Sequence, residues 1–135
     1  IISEVAIGKR NKISIYGKDY NTHDGTAIRD FIHISDLADI HLVVAKYLLD
    51  NKKTNIFNCG YGKGYSVLDI IKAANKITNN KIKFDFSDRR DGDPEQLVAN
   101  VDKIKKHINW EPRYNNLNTI IQSAIDWEKN YAKDS

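Results

Sequence analysis

Arg29, Arg89, Arg90 and Asp93 are the residues of this chain whose types suit the grip of a phosphorylated, hydroxyl-bearing ligand. An arginine fork can bond two phosphate oxygens at once and holds its charge at any physiological pH. Arg29 follows a polar loop and precedes Asp30, while Arg89 and Arg90 run into Asp91-Gly92-Asp93-Pro94. A basic turn beside a glycine can approach a phosphate closely, and the Asp93 carboxylate could accept bonds from ribose hydroxyls. Each feature has a plainer alternative. Arg29 could simply pair with a nearby carboxylate, as surface arginines do, and Asp-Gly-Asp-Pro is common turn punctuation.

Other chemistry is sparse. Glycines at 60, 62 and 64 follow a short apolar run, but the dinucleotide fingerprint needs its third glycine at 65, where Tyr65 stands. No acidic residue lies suitably beyond it, so a tight turn is expected there rather than an NAD site. His23, His33, His41 and His107 lack metal-ligand spacing, and Cys59 is alone. A structural metal and an internal disulfide are thereby set aside. His33 and His41 read as bonded structural histidines, His41 on an apolar helix face. Trp110 and Trp127 read as contributors of buried area.

The elements that must position these residues alternate between two periods. Residues 1–11 read as the end of a helix stopping near Gly8, and Ile13–Tyr16 as a strand closed by Gly17. Residues 17–27 form a polar loop with an Asp24-Gly25 turn. Ser35 is a candidate N-cap for a helix with Leu37, Ile40, His41, Val44, Ala45, Leu48 and Leu49 at helical spacing. Phe31–Ile34 is strand-like, and Asn55–Cys59 is a compact apolar strand. Ser66 and Asp69 have capping-box spacing, opening a helix that buries Val67, Ile70, Ile71, Ala74 and Ile77. Ile82, Phe84 and Phe86 alternate onto one strand face, Leu97–Ala99 is a short strand, and helices follow over about 102–108 and 117–131. Strands alternating with helices predict an α/β fold with parallel pairing. Wide apolar stripes on the helices meet few strands, so some of them are expected to pack on something outside the chain.

Composition agrees with a globular α/β unit. Of 135 residues, 41% are hydrophobic and 29% charged. A net charge of +3, with basic clusters Lys52-Lys53, Arg89-Arg90 and Lys103/Lys105/Lys106 short and interrupted by acids, argues against nucleic acid. No apolar run reaches the roughly 18 residues of a membrane span. The chain contains no methionine and opens Ile-Ile-Ser-Glu-Val, with Ile2, Val5 and Ala6 at helical spacing; a fragment beginning inside a helix is expected. The lone cysteine suits a cytoplasmic setting.

Four segments together resemble UDP-glucose 4-epimerases of the extended short-chain dehydrogenase/reductase family. They are Ile13–Gly17 (ISIYG), Gly25–Ala38 (GTAIRDFIHISDLA), Asn58–Val67 (NCGYGKGYSV) and Arg89–Asp93 (RRDGD), in that order. Likeness extends through Trp110-Glu111-Pro112 to the Trp127 helix. It implies the C-terminal substrate lobe of a two-lobe enzyme. The other lobe, a Rossmann domain, would bind NAD and carry a Tyr-x-x-x-Lys pair. None of the tyrosines here (16, 20, 47, 61, 65, 114, 131) has lysine four residues on. Catalytic residues and NAD are therefore expected to belong to the missing lobe, and this chain alone is expected to be inactive.

The resemblance further implies that Ser14 and Tyr16 offer main-chain bonds to uracil, that Arg29 and Arg90 bind the diphosphate, and that Asp93 binds ribose. Leu97 stands near the hexose, where the family often has Tyr or Cys. UDP-glucose and UDP-galactose are the implied ligands. The missing N-terminal lobe and a homodimer are the implied protein partners, with the Ser35–Asp50 helix and Asn55–Cys59 strand returning to the Rossmann lobe. Two alternatives stand beside this reading. One is a non-catalytic nucleotide-sugar-binding or interaction module, the other a related sugar-nucleotide dehydratase or decarboxylase half.

Overall fold

The structure is a computed structural model that describes residues 1–52, 54–79 and 81–131. Lys53, half of one basic pair singled out above, lies outside them. In chain order the elements are α1 (Ile2–Ala6), β1 (Ile13–Tyr16), β2 (Ile28–Asp30), α2 (Ile34–Asn51), β3 (Gly64–Ser66), α3 (Val67–Thr78), β4 (Phe84–Ser87), β5 (Gln96–Leu97), α4 (Asp102–His107) and α5 (Leu117–Tyr131). β1 and β4 form a parallel pair, Ile13 opposite Phe84 and Tyr16 opposite Ser87. β2 is the middle of a second sheet, antiparallel to β3 and parallel to β5. The fold is thus mixed α/β, with one antiparallel pairing beside the expected parallel ones.

Two apolar clusters hold these layers. The larger joins Ile13 and Ile15 of β1 to Ile70, Ile71 and Ala74 of α3 and Ile121 and Ile125 of α5. Burying a branched side chain of this size contributes about 1.5–3 kcal/mol, so the Ile–Ile contacts fix how α3 and α5 sit on β1. α3 starts as its sequence dictates. Ser66 Oγ accepts from the Asp69 amide at 3.0 Å while Asp69 Oδ2 accepts from the Ser66 amide at 3.1 Å, a reciprocal capping box. The smaller cluster packs Ile40 of α2 on Val101, Ile104 and Ile108 around α4.

Several expectations fail for identifiable reasons. Asn55–Cys59 forms no strand; among the described residues no sheet edge lies alongside to supply its hydrogen bonds, and Ile56 stays 81% exposed. Phe31–Ile34 is not a strand either, since β2 ends at Asp30. α2 begins one residue before Ser35, and His33 caps it by accepting from the Ser35 amide at 3.0 Å. His41 is exposed and bonded to its own helix at the Leu37 carbonyl, 2.6 Å away. The buried line of α2 runs through Asp36 and Ile40, and position 41 is turned about 100° from it. Phe84 and Phe86 share a face as expected, but on the outer strand of a two-stranded sheet they remain exposed. β5 covers Gln96–Leu97 rather than reaching Ala99. Trp127 is exposed, its ring stacked on Tyr131 rather than buried. No helix among the described residues is long and apolar enough to cross a membrane.

Candidate functional site

Two sheets bring the sequence-predicted residues to one end of the molecule through a single turn. The Asp93 amide donates to the Arg90 carbonyl at 3.2 Å, and Gly92 takes φ +74° at the third turn position, where a type II turn needs a residue free of Cβ. This turn reaches both sheets. Arg90 lies over the Tyr16 ring at the end of β1, 3.8 Å from ring centroid to guanidinium carbon. Asp93 reaches the other way and pairs with Nη2 of Arg29 in β2.

Arg29 sits on a strand bonded along both edges, so its backbone position is fixed. Its Nη1 donates to the Ile28 carbonyl at 2.7 Å. Leu97 lies opposite it in register on β5 and is 61% exposed. Arg29, Asp93 and Leu97 form one group, Tyr16 and Arg90 another, and the turn joins them. Ser14 lies two residues before Tyr16 and outside these contacts: its hydroxyl donates to Asp85 at 3.0 Å.

The main chain of β1 offers more than its side chains. The amides of Ile13 and Gly17 donate across to β4, to the carbonyls of Lys83 and Ser87. Successive residues in a strand direct their N–H and C=O groups to opposite edges. Ser14 and Tyr16 therefore present theirs to the outer edge, where no strand pairs with β1 among the described residues. An edge of this kind can bond a planar group carrying alternating donors and acceptors.

Arg89 and Arg90 divide the work. Arg89 is committed to the 17–25 loop: Nε donates to Asp19 at 2.8 Å, and its guanidinium covers the Tyr20 ring at 4.2 Å. The Arg89 bond holds the Asp19 carboxyl below its usual range despite some desolvation. Tyr20 in turn packs over Gly17, where a Cβ would run into its ring. Among the described residues the Arg90 side chain is placed by its stacking contact on Tyr16, and it is exposed.

Two carboxylates that sequence reasoning missed, half-buried Asp30 and buried Asp36, brace this end. Asp30 accepts from the amides of Tyr61 at 3.1 Å, Gly62 at 2.9 Å and Ala99 at 3.4 Å. A Cβ at Gly60 would lie 2.5 Å from the same carboxylate and 2.8 Å from Ala99 Cβ. The glycine run therefore closes on Asp30 and leads into a strand. The Tyr61 and Gly62 amides are spent on Asp30 and the run opens a strand, a poor fit to the phosphates of a dinucleotide, whose site needs free amides at a helix start. Asp36 is fully buried and accepts from the Tyr61 hydroxyl at 2.5 Å and from the amides of Arg113 and Tyr114 at 3.0 and 2.9 Å. Burial alone would raise the Asp36 carboxyl; these three bonds outweigh it and hold it low. The same burial, together with the bond to Asp36, pushes Tyr61 up to about 12. The ring of His33 stacks on Tyr114 at 4.4 Å and ties its segment to α2. Desolvation also raises the half-buried Cys59 thiol, which favours its protonated form.

The mixed α/β lobe thus gathers two arginines, a carboxylate and an open strand edge around one turn. Residues 1–123 match the family described as GDP-mannose 4,6 dehydratase, and the chain belongs to that family. It is 44% identical over 133 residues to a UDP-glucose 4-epimerase of Streptococcus mutans, covering 98% of this chain and 40% of that protein. Among solved structures, the UDP-Glc/GlcNAc 4-epimerase of Campylobacter jejuni matches at 45% identity and TM-score 0.85, over 96% of this chain and 39% of that one. A UDP-glucose 4-epimerase of Stenotrophomonas maltophila, solved with NAD and a formylated UDP-arabinopyranose, matches at 31% identity and TM-score 0.92, over 99% and 40%. The chain thus spans about two fifths of the length of the relatives it matches.

Proposed function

We propose that this chain is the UDP-binding part of a UDP-glucose 4-epimerase. The observation that carries the reading is the Arg90–Asp93 turn, which joins Tyr16 on one sheet to Arg29 on the other. In this reading Ser14 and Tyr16 bond uracil through the open β1 edge. Arg29 and Arg90 hold the diphosphate, and Asp93 takes the ribose hydroxyls. Leu97, beside Arg29, forms part of the wall near the hexose. The complete enzyme would interconvert UDP-glucose and UDP-galactose, with NAD, held by its other lobe, supplying the reversible hydride acceptor for sugar carbon 4. NAD and the catalytic groups belong to a nucleotide-binding lobe outside this chain, because the glycine run here closes on Asp30. This chain's own residues fix the nucleotide and leave the hexose free to turn. Binding energy gathered remotely can then serve the reacting ring. A cytoplasmic enzyme fits the unpaired Cys59.

Calorimetry of UDP binding to the 135-residue chain tests this, with Arg29→Ala and Arg90→Ala as controls. Loss of one charge-assisted phosphate contact should weaken UDP about tenfold or more in each variant. Folded variants that bind UDP as tightly as the parent would refute the assignment.

A further inference from the structure

The guanidinium of Arg29 is not idle. Nη1 is occupied by the Ile28 carbonyl and Nη2 by Asp93. The two side chains are respectively 23 and 29% exposed, so their pair is only partly screened by water. One arm of the fork that would take two phosphate oxygens thus already holds a carboxylate. We infer that Asp93 is a selectivity residue that competes with phosphate for Arg29 and is compensated only when a ribose accompanies the diphosphate. The inference rests on the assignment of Arg29 and Asp93 to the nucleotide site given above.

The geometry makes the exchange local. Arg29 cannot retreat, because β2 is bonded to β3 on one side and β5 on the other. Asp93 can, because it ends a turn closed by one backbone bond to Arg90 and hinged at Gly92. A diphosphate seated across both arms of the fork crowds the Asp93 carboxylate off Nη2 or shares the guanidinium with it. A bare inorganic anion then leaves that carboxylate beside its own negative charge. A nucleoside diphosphate instead brings ribose hydroxyls, which donate to the displaced carboxylate and restore a charge-assisted bond. One residue thereby penalises free phosphate anions and favours the same anion attached to a nucleoside.

The test compares inorganic pyrophosphate with UDP on the 135-residue chain, by calorimetric titration or competition at fixed ionic strength. Asp93→Asn should bind pyrophosphate about three- to tenfold more tightly than the parent. The same variant should bind UDP no more tightly, so that the UDP-to-pyrophosphate preference falls. Asp93→Ser repeats the measurement should the asparagine variant misfold. Exposed Asp91, in the same turn, gives the charge control: Asp91→Asn removes an equal charge without touching the Arg29 pair. Pyrophosphate affinity that is unchanged or weaker in both Asp93 variants, with Arg29→Ala abolishing it, would show that Asp93 orients Arg29 rather than competes for it, and would overturn the inference alone. An equal gain in Asp91→Asn would overturn it as a plain charge effect. Pyrophosphate binding that survives Arg29→Ala would remove the assignment beneath it as well.

Discussion

Tyr61→Phe removes one oxygen and disturbs two buried partners at once. The hydroxyl donates to Asp36 at 2.5 Å and accepts from the His33 amide at 3.1 Å. Asp36 would keep the Arg113 and Tyr114 amides but lose the Tyr61 hydroxyl, and the His33 N–H would be left without this acceptor. A bond to a buried charge contributes about 1.5–3 kcal/mol, and a stranded amide adds about 1 kcal/mol to the loss. Together the two losses come to about 3 kcal/mol. Burial, and then the bond to Asp36, raise the Tyr61 hydroxyl to about 12. Because the folded-state value is the higher one, this contribution is complete below pH 10 and fades as pH rises toward 12. Urea unfolding of parent and variant at pH 8 and again near pH 11.5 would measure it. The gap between them should be about 3 kcal/mol at pH 8 and clearly smaller at the higher pH. A gap under about 1 kcal/mol, or one that does not change with pH, would refute the reasoning.

Ser66→Ala should cost about 2–3 kcal/mol, since it deletes the cap of α3 and also the 2.5 Å bond to Asp24; chemical denaturation reads it, and a loss below about 0.5 kcal/mol would contradict the capping box. Asp24 is held below its usual range because its Ser66 and Thr26 bonds outweigh its burial. The stability it confers is present above the unfolded carboxylate value and lost as pH falls through the folded one, so the variant's acid limb should be shallower. Leu97→Tyr places a ring and hydroxyl one strand spacing from Arg29, about 4.8 Å away. In the complete enzyme it should change the kcat/KM ratio between UDP-glucose and UDP-N-acetylglucosamine, and an identical ratio would end that assignment of Leu97.

Much of this lobe is legible in the chain because its signals are local. The Ser66–Asp69 spacing, the glycine after β1 and the Asp24-Gly25 turn each depend on neighbours within a few residues, and each forms as read. What escapes is set by residues far apart in sequence. Asp36 at the first turn of a helix reads as an ordinary dipole-stabilising acid. It becomes a buried hub only when Arg113 and Tyr114 arrive, 77 and 78 positions away. Asp30 looks like a partner for adjacent Arg29, yet its oxygens go to Tyr61, Gly62 and Ala99. The partner Arg29 does take, Asp93, lies 64 residues on. Asn55–Cys59 fails in the opposite way: its composition suits a strand, but a strand needs an edge to pair with, and composition cannot supply one.

The division between Arg89 and Arg90 shows how such distant contacts make function specific. By type and spacing the two arginines are equivalent, and either could meet a phosphate. Folding separates them. Arg89 spends its charge on Asp19 and its flat face on Tyr20, which stiffens the loop that leaves β1 at Gly17. Arg90, one residue on, rests instead on the Tyr16 ring. The stiffened loop keeps the end of β1 in place. A fixed β1 end keeps the Ser14 and Tyr16 amides aligned on the open edge and the Tyr16 ring under Arg90. The loop residue that binds nothing in the proposed site therefore determines the geometry of the three that do. By the same reasoning, Arg89→Ala should weaken UDP and UMP by equal factors, since it loosens the base-binding edge. Arg90→Ala should weaken UDP more than UMP, because it removes a contact to the phosphates. Equal selectivity losses in the two variants would show that the arginines are interchangeable after all.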